Sequence, residues 1–144
     1  MRFICGLLLS LLIAPGLSQG AVTVNMSALR QIESGGDSGA IGDHGKALGA
    51  FQIHKAVIDD FNAKASNKLL QPLSHKDVLR PEIGEIVANW YINQRIPRML
   101  RAFGLQDSLE NRLTAYNMGI KAVKKGKVAK EYIRRYKKEI KNNA

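Results

Sequence analysis

Apolar residues recur along this chain at helical rather than strand spacing. Met26, Leu29 and Ile32 lie on one helical face, with Asn25 or Ser27 available as an N-cap and Gly35-Gly36 as a stop, which predicts a short amphipathic first helix. The next stretch, DSGAIGDHGKALGA, is rich in Gly and small polar residues and reads as a loop. Phe51, Ile53, Val57, Ile58 and Phe61 restore a mostly helical pattern, so a second helix is expected from His54 or Lys55, with Asp59 and Asp60 on its outer side. Ala63 to His75 reads as a connection pinned by Leu69, Leu70 and Leu73. The longest periodic segment follows, with Pro81 at a helix start and Ile83, Ile86, Val87 and Trp90 on one face, and it is expected to be the central buried helix. Pro97 should kink or end it, and a further turn through Met99, Leu100 and Phe103 closes at Gly104.

Asp107-Ser108-Leu109-Glu110 has the composition of a capping box, opening a helix on which Leu109, Leu113 and Tyr116 share a face before Asn117-Met118-Gly119 stops it. After a break near Gly126, the residues Ala129, Tyr132, Ile133, Tyr136 and Ile140 line one side of a last helix, about 128–141. Alternating strand runs of useful length, internal repeats and Gly/Ser linkers are all missing from the sequence. The expected fold is therefore all-α, with room for a short irregular hairpin in the Gly-rich loop.

Length and charge refine this picture. With 144 residues the chain suffices for one domain with a modest core. Residues 1–20 combine Arg2, an apolar run from Phe3 to Ala14, Pro15-Gly16 and a small-residue end, which is the layout of a secretory signal peptide; the domain then spans 21–144. Cys5, the sole cysteine, lies within that segment, so the exported domain is expected to rest on its core without a disulfide. The net charge is +10, yet 10 basic and 2 acidic residues fall from Lys121 onward, which leaves Ala21 to Ile120 with 11 against 10. Basicity is thus a property of the C-terminal tail, read either as a solvated helix face or as a surface suited to a polyanion such as a cell wall or anionic lipid, and the export signal argues against nucleic acid.

The first helix also carries candidate chemistry. Glu33 sits in its last turn, where the negative end of the helix and burial both raise a carboxyl pKa toward the range of a general acid. His44, His54 and His75 lack metal-ligand spacing, so neither a metal nor another cofactor is expected.

Three ordered segments go beyond pattern: IESGG at Ile32 to Gly36, ALGAFQIH at Ala47 to His54, and AYNMG at Ala115 to Gly119. Together with VLRPEIGEIVANWYINQRI and VAKEYIRRY, they resemble the soluble lytic transglycosylase family and, more distantly, goose-type and invertebrate-type lysozymes, over Met26 to Tyr136. The resemblance implies a lysozyme-like single domain that cleaves the β-1,4 bond between N-acetylmuramic acid and N-acetylglucosamine in peptidoglycan. It assigns Glu33 as the single catalytic acid and Ser34 as a residue bonding near it. Gln52 lines the glycan cleft, and the Tyr116 hydroxyl holds the catalytic carboxyl while Asn117 orients the sugar. Where the family commonly has Leu-Met before the glutamine, this chain has Ala50-Phe51, so Phe51 is a further candidate for shaping the substrate cleft.

In the resembled transglycosylases the substrate's 2-acetamido group assists and the product is a 1,6-anhydromuramoyl end. Lysozyme-type hydrolysis instead needs a second carboxylate. Asp43 is the candidate for that role, with Asp37 behind it. Two further readings are a non-catalytic wall-binding assembly protein and a membrane-disrupting role for Val128 to Asn142. The expected partner is the peptidoglycan glycan strand, met by a monomer, and family association adds a secretion, conjugation or pilus apparatus.

Overall fold

The computed structural model describes residues 21–65 and 71–143. The expected signal segment, Cys5, Leu69 and Leu70 lie outside the described residues. Helix α1 (Met26–Ser34) starts where the Asn25 side chain accepts from the Ala28 N–H, and ends at Gly35, whose φ of 69° lets its N–H reach the Gln31 carbonyl. Leu29 and Ile32 point into the core.

The Gly-rich stretch is more regular than the sequence suggests. Three two-residue strands, β1 (Ile41–Gly42), β2 (Ala47–Leu48) and β3 (Ile53–His54), form an antiparallel sheet with Ile41 opposite Leu48 and Leu48 opposite Ile53. Strands this short carry no alternation for a sequence reading to find. The sheet is pressed against its neighbours by close backbone approach: a Cβ on Gly49 would stand 2.5 Å from the Val78 carbonyl oxygen, and one on Gly84 2.8 Å from the same atom.

Helix α2 (Lys55–Lys64) follows directly, but only Asp59 of the expected outer pair is exposed. Asp60 turns inward, 2.5 Å from Arg95 Nε and 2.7 Å from Lys64 Nζ. Despite the cost of its burial, these two cations hold its carboxyl below the usual range. A short 3-10 turn at His75–Leu79 opens with a true capping box, in which Ser74 and Asp77 exchange bonds. Helix α3 (Pro81–Trp90) starts at Pro81 as expected and is central, with Val87 and Ala88 at 0 % exposure. Its buried stripe is Gly84, Val87, Ala88 and Trp90, so Ile86 is turned outward at 48 % exposure. The reason is steric: Gly84 must face the Val78 carbonyl, which rotates Ile86 out.

Pro97 neither breaks nor visibly ends the helical path. A π turn at Tyr91–Arg95 separates α3 from α4 (Ile96–Ala102) and places Pro97 in the first turn of α4, where a missing N–H costs nothing. The α4 terminus is a Schellman arrangement, with Gly104 at φ 66° and bonds from Gly104 to Arg101 and from Leu105 to Leu100. Helix α5 (Leu109–Met118) is capped by Ser108 on the Asn111 N–H, but the expected capping box is incomplete, because its reciprocal position is Asn111 and Asp107 is engaged elsewhere. Asp107 grips the buried Arg112 through Nε at 2.6 Å and Nη2 at 3.0 Å. Arg112 also donates to Asn93 Oδ1, which accepts from the Val24 N–H as well. A residue of the π turn thereby ties the segment before α1 to α5.

Helix α6 (Ile120–Lys124) is a short element that the periodicity does not announce. The final helix, α7 (Lys130–Asn142), buries Tyr132, Ile133 and Tyr136 against the body of the domain, and its Tyr136 hydroxyl accepts the Asn25 N–H at 2.7 Å. Its apolar side is thus a core face, laid along α1.

Candidate active site

Glu33 is half-buried in the last turn of α1, and the docking of α7 surrounds its carboxyl. The Tyr132 hydroxyl donates to Glu33 Oε1 from a position 99 residues along the chain. One position beyond Ile133 and Arg134, Arg135 donates through Nη2 to the Ile32 carbonyl, next to Glu33 on α1. Burial raises the Glu33 pKa above its ordinary value; the Tyr132 hydrogen bond and the Arg135 charge oppose that rise without cancelling it. The result is a carboxyl that keeps its proton longer than a surface glutamate does, beside a donor that favours the anion once the proton leaves. Burial and the Glu33 charge push the Tyr132 phenol far upward, so it remains a donor throughout the accessible pH range.

Ser34, the next residue, donates from Oγ to the Ala50 carbonyl at 2.8 Å and so fixes the end of α1 to the loop between β2 and β3. Tyr116 makes a parallel tie. Its hydroxyl donates to the Phe51 carbonyl at 2.8 Å, which corrects the expectation that it holds the catalytic carboxyl: Tyr132 has that bond. Tyr116 still lies close enough for the Glu33 charge, after burial, to raise its pKa, and its ring packs at 5.9 Å from that of Tyr91.

Phe51 is also placed differently from expectation. Its ring is 2 % exposed and belongs to the core beside Gly84, so it shapes the floor under the loop rather than meeting a ligand directly. Gln52 stands at a positive φ of 48° and donates from Nε2 to the Gly49 and Ala40 carbonyls at 3.0 and 3.4 Å. Its other amide atom fits against Gly42 so closely that a Cβ there would come within 2.0 Å of Oε1. Gln52 is therefore the brace of the three-stranded sheet. Asn117 is exposed in the last turn of α5.

Asp43 occupies a tight turn between β1 and β2, with φ of 47°, and its carboxylate faces His54 Nε2 at 3.6 Å. Both side chains are about half exposed, at 51 % and 50 %. Asp37 serves its own loop by accepting from the Gly39 N–H. His75 bonds the Ile53 carbonyl, and among the described residues no group of His, Cys, Asp and Glu side chains gathers as a metal site.

The structure thus brings Glu33, Ser34, Tyr116, Tyr132 and Arg135 around one helix end, and sets Asp43 apart on an exposed turn. Tyr132 and Arg135 are the site residues that the sequence reading missed. Tyr132 lies within VAKEYIRRY but reads there as one more apolar position of an amphipathic helix. Against protein-family models, residues 12–142 match the Transglycosylase SLT domain. The chain belongs to this family. Comparisons with curated proteins and with solved structures returned no match. The helical architecture around one central helix is that of a lysozyme-like SLT domain, whose substrate is peptidoglycan. In this SLT domain the matched region runs through α7, so the basic helix belongs to the family's domain rather than to an appended tail.

Proposed function

We propose that this protein is a lytic transglycosylase that cleaves the β-1,4 bond between N-acetylmuramic acid and N-acetylglucosamine with Glu33 as its single acid and base. The observation that carries this reading is the half-buried Glu33 carboxyl, bonded by the Tyr132 phenol and with its pKa raised by burial. Glu33 gives its proton to the bridging oxygen, and the glucosamine unit leaves as an alcohol. The 2-acetamido group of the muramic residue covers the cationic C1 as the glycosidic bond breaks. Glu33, now a carboxylate accepting from Tyr132, takes the proton of the muramic C6 hydroxyl as that oxygen bonds to C1. The product is a 1,6-anhydro end, no water is consumed and the acid is regenerated. Gln52 and Asn117 line the glycan path, and Ser34 and Tyr116 hold the loop that forms one wall.

Digestion of purified peptidoglycan followed by mass spectrometry of the muropeptides tests the reading. Anhydro ends, lighter by one water than reducing ends, are expected from the native protein and absent with Glu33→Gln. Near-normal digestion by that variant refutes the assignment, and reducing ends alone transfer it to hydrolysis with Asp43 as second acid. The same reading places the protein outside the cytoplasmic membrane with residues 1–20 as its export signal. N-terminal sequencing of the secreted form should then begin near Ala21.

A further inference from the structure

The charge excess of the C-terminal segment is concentrated where α6 turns into α7. Lys121, Lys124, Lys125, Lys127 and Lys130 are all exposed there, with no acidic residue between them in the sequence. Further along α7 two of the cations have carboxylate partners, Arg134 with Glu131 and Lys137 with Glu110, and Arg135 bonds the Ile32 carbonyl. The turn itself is rigidly formed: Gly126 at φ 70° allows bonds from Gly126 to Val123 and from Lys127 to Ala122, and the Ala129 N–H is held by Thr114 Oγ1.

Two large apolar side chains stand out of the domain at the same place. Phe103, just beyond α4, is 48 % exposed and carries Lys124 Nζ over its ring at 4.0 Å; Val128, on the turn, is 46 % exposed. A dissolved polyanion calls only for the lysines and gains nothing from an uncovered Phe and Val. A lipid interface matches both, because apolar side chains enter the acyl boundary while lysines meet the phosphates above it. No helix among the described residues is long and apolar enough to cross a membrane, so any such contact made by them is peripheral.

We propose that the α6–α7 turn is a membrane-docking surface for anionic phospholipid, with Phe103 and Val128 entering the interface and Lys121, Lys124, Lys125, Lys127 and Lys130 contacting headgroup phosphates. None of these residues belongs to the site around Glu33, so the proposal stands apart from the reaction. Docked in this way, a wall-cleaving enzyme works on the strands that lie nearest the bilayer.

Co-sedimentation with vesicles tests it, using wild-type and variant proteins with the same N terminus. Vesicles of mixed phosphatidylglycerol and phosphatidylcholine should bind the wild type, and more weakly as salt rises. Changing Lys124, Lys125 and Lys127 together to Glu should lower the partition coefficient by a factor on the order of a hundred. Phe103→Ser should lower it by about tenfold. Circular dichroism and melting should match the wild type in both variants, because every changed side chain is exposed. Equal binding to pure phosphatidylcholine vesicles, or binding indifferent to the charge reversal, overturns the proposal. So does retention on soluble poly(glycerol phosphate) as strong as on vesicles together with an inert Phe103→Ser, which makes the turn a polyanion site instead.

Discussion

Two carboxylates flank the loop region of this domain, and they have been treated in opposite ways. Glu33 ends a helix, is half-buried, and receives a phenol from α7 while an arginine occupies the carbonyl beside it. Asp43 rides a positive-φ turn, about half exposed, facing a histidine that is equally exposed. Solvent reaches half of the Asp43 side chain, whereas protein encloses much of Glu33. The difference teaches that the surroundings of Glu33 come from the packing of a distant helix, while the more eye-catching Gly-Asp-His-Gly loop leaves its carboxylate in solvent.

Removing the Glu33 proton should break the comparison most severely. Glu33→Gln is expected to lower release of anhydromuropeptides on the order of a thousandfold or more, the upper range of what a positioned acid contributes. The same variant should melt at a higher temperature than wild type at neutral pH. The raised folded pKa means that the native state holds the Glu33 proton more tightly than the unfolded chain does. Its contribution to stability is full below the ordinary value of 4.5 and is lost as pH climbs through the folded value. Glutamine does not titrate, so the gap in melting temperature should close on the acid side, which calorimetry across pH can follow.

Tyr132→Phe comes next. Loss of a hydrogen bond to a charged group should cost about tenfold to a hundredfold in turnover. Because that bond favours the carboxylate, its removal raises the Glu33 pKa further, and the alkaline limb of the pH–rate profile should move to higher pH. A profile that keeps its position would mean that the phenol only fills space. Gly42→Ala tests the opposite wall with a smaller effect. Its Cβ would displace the Gln52 amide from its place against the sheet, with an expected activity loss of about threefold to tenfold and a modest fall in melting temperature. Asp43→Asn should matter least. An exposed polar contact such as that of Asp43 with His54 contributes little, so digestion should change by less than about twofold.

The chain discloses its frame more readily than its connections. Helix α1 with its Gly35 stop, Pro81 at the head of α3 and the apolar side of α7 are legible because each depends on neighbours within one or two turns. The π turn is not, since one extra residue in a helical path leaves the apolar spacing on either side intact, and it is this turn that aims Asn93 at Val24 and Arg112. Asp60 looked like a surface residue for the same reason: its partner Arg95 comes from the π turn, outside any local window. At the site, IESGG singles out Glu33, but the identity of its donor depends on how α7 crosses α1. Tyr116 and Tyr132 are both tyrosines on amphipathic helices, and only the packed domain distinguishes the one that reaches Glu33 from the one that reaches the Phe51 carbonyl. Phe51 shows the converse limit, where a residue inside a recognisable segment serves the interior.

The bond between Tyr132 and Glu33 joins the beginning of the folded domain to its final helix. A chain that stops before α7 carries Glu33 without the phenol that bonds it and without the helix that covers it. On the proposed reaction, glycan cleavage should therefore await the last helix, and a chain that stops before Tyr132 should release no anhydromuropeptides.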